Sequence, residues 1–109
     1  MPLFNPGTAQ ITFPIATNVT STTVVPPTET TLATAKILVA ANLNRKNLTL
    51  FNQSTGTVYV DYGRAPTATD CAFPLRPDGY WEIPGDCTVQ VQGLWSVIGG
   101  TGVQVREFF

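Results

Sequence analysis

The sequence contains no histidine. That removes the Ser-His-Asp and Cys-His routes to nucleophilic catalysis, and with them the commonest transition-metal ligand. Cysteine occurs twice, at Cys71 and Cys87, and neither belongs to a C-x-x-C pair, so no zinc site is expected. Charged residues make up 12% of the 109 positions, about half the usual share. The net charge of −1 gives nonspecific binding to nucleic acid or an anionic membrane no electrostatic basis. No apolar run approaches the ~20 residues that span a bilayer, and MPLFNPGTAQ lacks the basic and apolar regions of a signal peptide.

The remaining chemistry rests with seven carboxylates: Glu29, Asp61, Asp70, Asp78, Glu82, Asp86 and Glu107. Glycoside hydrolysis needs two of them facing each other across a cleft, and Asp61 with Glu82 is the pair a fold can bring together. Asp70, Asp78 and Asp86 sit beside Thr, Pro, Gly or Cys, where an aspartate caps a turn. Gly99-Gly100-Thr101-Gly102 lacks the Lys-Ser/Thr of a phosphate loop and no helix pattern follows it, so it reads as a tight turn between two strands. Sequons at Asn18, Asn47 and Asn52 arise by chance in a Thr-rich chain. No catalytic residue, cofactor or metal site is expected, and the chain is not expected to be an enzyme.

What is present is a strand-and-turn composition, rich in Thr with 9 Gly and 9 Pro. Charge divides the chain. Glu29 is the lone charge in residues 1–35, where Thr clusters and Pro2, Pro6, Pro14, Pro26 and Pro27 exclude a helix. Val19 together with Leu3, Phe4, Ile11, Phe13, Ile15, Val24 and Val25 supplies too much apolar surface for a solvated tail. Residues 1–35 therefore read as an extended arm that lies against its own domain or a neighbouring subunit, and the last seven of these side chains, Leu3 to Val25 without Val19, are its candidate contacts.

Residues 36–109 alternate with period two in short runs. Ile37 to Ala41 is apolar. Asn47 to Asn52 sets Leu48 and Leu50 against Asn47, Thr49 and Phe51. After Gln53-Ser-Thr-Gly56, Val58, Val60 and Tyr62 alternate with Tyr59 and Asp61, and the two runs together carry a hairpin signal. Cys71 to Leu75 contains Pro74, which confines it to an edge or an end. Arg76-Pro-Asp-Gly79 is a turn, Tyr80 to Ile83 a short strand, and Cys87 to Trp95 alternates throughout. Thr101 to Phe109 turns Val103 and Val105 inward and Gln104 and Arg106 outward. The expected fold is all-β, a small antiparallel sandwich or barrel of about seven short strands. A core of that size is marginal, and assembly with other copies or a disulfide is the usual remedy.

Across Arg45 to Glu107 the order of segments resembles a known family. The carriers are Asn47-Leu-Thr-Leu-Phe-Asn-Gln-Ser54, Thr57-Val-Tyr-Val-Asp-Tyr-Gly63, Ala65-Pro-Thr67 and Pro74-Leu-Arg-Pro-Asp-Gly-Tyr-Trp-Glu82. Val91-Gln-Gly-Leu-Trp95 and Gly100-Thr-Gly-Val-Gln-Val-Arg-Glu107 complete them. This order is similar to small structural proteins of tailed bacteriophages that decorate or cement the capsid. The resemblance implies a virion protein at the capsid surface, assembled in the host cytoplasm. Its implied partners are the major capsid protein and copies of itself, as a homotrimer matched to local threefold positions, with no nucleic acid and no membrane. Assembly in a reducing compartment implies that Cys71 and Cys87 are free, largely buried thiols. The competing reading is a receptor- or glycan-binding module of a tail or fibre, with Tyr59, Tyr80, Trp81 and Trp95 as stacking faces. For Trp95 the alternation favours the core, and adjacent Tyr80 and Trp81 must point to opposite faces of a strand.

Overall fold

The computed structural model describes residues 17–28, 34–84 and 87–109. Eight strands follow in chain order: β1 (Val19–Val24), β2 (Lys36–Val39), β3 (Asn47–Ser54), β4 (Val58–Tyr62), β5 (Phe73–Leu75), β6 (Tyr80–Pro84), β7 (Val91–Trp95) and β8 (Gly100–Phe108). They form two antiparallel sheets of four, ordered β1-β8-β3-β6 and β2-β7-β4-β5, and the sheets pack into a sandwich. Leu48, Leu50, Ile83, Val103 and Val105 of the first sheet meet Leu38, Val58, Val60, Phe73, Leu75, Val91 and Trp95 of the second. The inward alternation of β3, β4 and β8 is the one their sequences carry. Trp95 is a core residue, and its indole N–H donates to Ser54 Oγ at 2.8 Å. β5 is an edge strand, as Pro74 requires.

Two expectations are corrected. β3 and β4 do not form a hairpin: β3 pairs with β6 and β8, and β4 with β5 and β7. The chain crosses from one sheet to the other between them. It crosses again at Arg76–Gly79 and between Trp95 and Gly100, and Gly100, Thr101 and Gly102 belong to β8 itself. The run from Cys87 becomes a strand only at Val91. Upstream, the carbonyls of Cys87 and Val89 accept from Arg45 and that of Thr88 from the Asn42 N–H. Those acceptors are therefore not available to a ladder. Within residues 1–35, Val19–Val24 is extended and lies against its own domain, as an edge strand of the first sheet paired along its length with β8.

Two polar side chains hold the ends of the sandwich. At one end Arg45 is 2% exposed. Its Nε donates to Glu107 Oε2 at 2.8 Å, Nη1 to the carbonyls of Cys87 and Val89 at 2.9 Å each, and Nη2 to that of Ala40 at 2.6 Å. At the other end Asn52 is fully buried. Its Nδ2 donates to the carbonyls of Gly56 and Leu75, and its Oδ1 accepts from the Ser54 N–H. The Asn52 backbone also bonds the Arg76–Gly79 turn, where Asp78 takes φ 61° at the position a type II turn usually gives to glycine. Gly102 has φ 120°, and a Cβ there would run into the Val24 carbonyl, so glycine is what lets β1 lie against β8.

The Arg45–Glu107 pair is stable only as a pair. Replacing Arg45 with Met leaves a mostly buried carboxylate and three carbonyls without their donor, and we expect a loss of about 3–5 kcal/mol. Arg45→Lys should recover part of that loss, since an ammonium keeps the charge without the planar fork. Urea unfolding of the two variants beside the parent measures both.

Candidate binding surface

Among the described residues Asp61, Asp70, Glu82 and Glu107 each have a polar partner. Asp61 accepts from the Tyr62 N–H and from Arg64 Nε, both at 2.8 Å, and Arg64 also reaches Asp70 at 2.5 Å. Glu82 accepts from Asn47 Nδ2 at 2.7 Å on the opposite sheet. Asp61 and Glu82 thus lie on different sheets with different partners. Asp70 and Asp78 sit in turns, and Asp86 lies outside the described residues. Among the described residues no three His, Cys, Asp or Glu side chains gather where a metal ion would be held. Cys71 and Cys87 are free thiols, half-buried rather than largely buried. The Asn52 sequon is closed by burial, with the amide already donating twice.

Of the seven candidate contacts, Leu3, Phe4, Ile11, Phe13 and Ile15 lie outside the described residues. Val24 is half-buried against the core, and Val25, one residue on, is 58% exposed. The four aromatics do not converge. Trp95 is in the core, and Tyr59 is half-buried in β4 on the face opposite Val58 and Val60. Tyr80 stands on the outer face of the first sheet, opposite Phe51. Trp81 faces inward at the seam between edge strands β6 and β5, where it stacks on Phe73 with centroids 4.5 Å apart and stays 45% exposed.

What the surface does offer is apolar and weakly charged. Leu43, 89% exposed, and Val89 project from neighbouring loops at the Arg45 end. Val25, Val97 and Ile98 are exposed at the Asn52 end. Between the ends runs β1. The register sets Thr20, Thr22 and Val24 opposite the inward residues Glu107, Val105 and Val103, yet Thr20 and Thr22 are exposed. From Val19 to Thr23 β1 is therefore open on both faces, and Val24 alone packs against the core. The sequence gives no sign of these apolar tips, because an apolar residue in a loop reads first as a packing residue.

Tyr62 closes the aromatic seam beside Phe73, with centroids 6.1 Å apart. Burial raises its hydroxyl above the ordinary value of 10.0, and a hydrogen bond from Trp81 opposes part of the rise. The folded state thus holds this proton more tightly than the unfolded chain. The stability it contributes is complete below the unfolded value and is lost as pH climbs through the folded one. We expect the parent's melting temperature to fall more steeply than that of Tyr62→Phe on the alkaline side, with the two curves parallel at neutral pH.

No family model, curated protein or solved structure matches the chain.

Proposed function

We propose that the chain is a virion structural protein of a tailed bacteriophage, a decoration protein on the outside of the head. In this reading it catalyses nothing and takes no cofactor or metal. It works by burying its own surface against the major capsid protein and against further copies of itself, each contact weak and the whole strengthened by repetition over the lattice. The observation that carries the reading is the placement of polarity. The buried polar side chains Arg45, Asn52 and Glu107 are consumed in holding the scaffold, while apolar side chains stand exposed at both ends, Leu43 and Val89 at one and Val25, Val97 and Ile98 at the other, and the edge strand β1 carries no charge. Free thiols agree with assembly in a reducing cytoplasm. The homotrimer belongs to this proposal as the order that local threefold positions on a capsid favour.

Residues 1–16 are the proposed contact with the head, through Leu3, Phe4, Ile11, Phe13 and Ile15. The truncation that tests them starts at Thr17, because cutting at residue 35 would also remove β1 from its sheet. We expect the shortened chain to keep its circular dichroism spectrum and to cosediment less with heads than the full chain. Immunogold labelling of intact virions checks the location. Label over the head supports decoration, and label on tails or fibres supports the receptor- or glycan-binding module instead.

A further inference from the structure

The four edges of the sandwich are not equally protected. An open edge is a template for another strand, and proteins commonly blunt theirs with charge, proline, bulges or brevity. β2 begins with Lys36 and breaks register between Ile37 and Val39. β5 has three residues with Pro74 in the middle. β6 carries Glu82 and ends in Pro84. β1, Val-Thr-Ser-Thr-Thr-Val, has six residues, no charge, no proline and no break in its register with β8.

The direction of its free backbone groups follows from its neighbour. Asn18 and Phe109 exchange both backbone hydrogen bonds, at 2.6 and 2.9 Å. Bonded and non-bonded pairs alternate along an antiparallel ladder. Thr20, Thr22 and Val24 therefore turn their amides and carbonyls toward β8, and Val19, Ser21 and Thr23 turn theirs away from it. Among the described residues nothing occupies that side.

We propose that β1 pairs with β1 of a second copy, antiparallel about a twofold axis at Ser21. That register sets Ser21 opposite Ser21 of the partner subunit, and Val19 opposite the partner's Thr23. Each such pair exchanges two hydrogen bonds, so all six outward groups are satisfied. Thr20 then faces the partner's Thr22, a favourable cross-strand pair on a face that is otherwise bare. No charges meet. Arg106, the nearest, sits opposite Ser21 on β8, so the two copies hold theirs about 14 Å apart across three strand spacings, beyond the ~8 Å screening length. A second copy is thus a closer match to this edge than a charged or proline-bearing strand. The two first sheets become one sheet of eight strands.

The inference does not depend on the virion reading and differs from its threefold order, and the test uses purified full-length protein without phage. Sedimentation over a concentration series should show a monomer–dimer equilibrium. Ser21→Lys places two ammonium groups across the axis on an exposed position, and it should raise the dissociation constant roughly tenfold or more with an unchanged melting curve at low concentration. Ser21→Cys should form an intersubunit disulfide under mild oxidation, since opposed Cα atoms in a bonded pair lie about 5.5 Å apart, within disulfide reach. Thr22→Cys, which faces the partner's Thr20, should not. The unsubstituted protein controls for Cys71 and Cys87. A monomer at every concentration, a trimer, association indifferent to Ser21→Lys, or equal cross-linking of the two cysteine variants overturns the proposal.

Discussion

Burying a guanidinium is the most demanding thing this fold does. Taking a cation out of water costs several kcal/mol even after relaxation, and the cost is offset only when its donors meet well-placed acceptors. Arg45 meets Glu107 and three carbonyls. Those acceptors come from the segment after β2, the segment before β7 and the far end of β8. The bond network therefore fixes two loops and a strand end at once. It also explains why Cys87 to Gln90 is not a strand: its carbonyls turn toward the cation instead of a neighbouring ladder.

The other end uses a neutral version of the same device. Asn52 offers two donors and an acceptor, and it ties the crossing after β3 to the end of β5 and to the Arg76–Gly79 turn. Both devices answer one topological need. All consecutive strands except β4 and β5 lie in opposite sheets, so nearly every connection crosses the end of the sandwich. A crossing leaves carbonyls without ladder partners, and an unpartnered buried carbonyl is costly. Side-chain amides and a guanidinium supply the missing donors. Among the described residues no buried side-chain nitrogen or oxygen lacks a partner. Pairing distant segments such as β1 with β8 carries a loop-closure cost before any contact forms, so this topology belongs with the slower folders.

The strand faces were legible because a half-buried strand announces itself by period two; β3 keeps its period throughout, and β4 and β8 keep theirs except at Asp61 and Gly102, which are buried beside inward neighbours. Strand partners were not, because alternation tells which side is buried and not which neighbour lies alongside. Gln53-Ser-Thr-Gly56 suits a hairpin and a crossing equally. The distinguishing sign was Asn52 on the inward face after Leu48 and Leu50, a polar group that a hairpin has no reason to bury. Glu107 is the same kind of sign after Val103 and Val105. Arg45 carried none, being one cation beside another, Lys46, ahead of a strand. Of the proposed contact residues, Val24 illustrates the limit: its apolar character fits an intersubunit contact, and the structure uses it against the core.

Charge scarcity links the interior to the surface. Arg45 is spent on Glu107, and Arg64 on Asp61 and Asp70. A sequence with 6 basic and 7 acidic residues has few left to guard edges or separate molecules. Lys36 and Glu82 stand on edge strands β2 and β6, and none stands on β1. For a freely diffusing monomer such an edge invites association. For a protein that packs against its own copies the same deficit is useful, because a net charge of −1 adds almost no repulsion as copies crowd together. The fold thus spends its buried ion pair, Arg45 with Glu107, at an end where strands cross, and leaves the outer edge of β1 without charge.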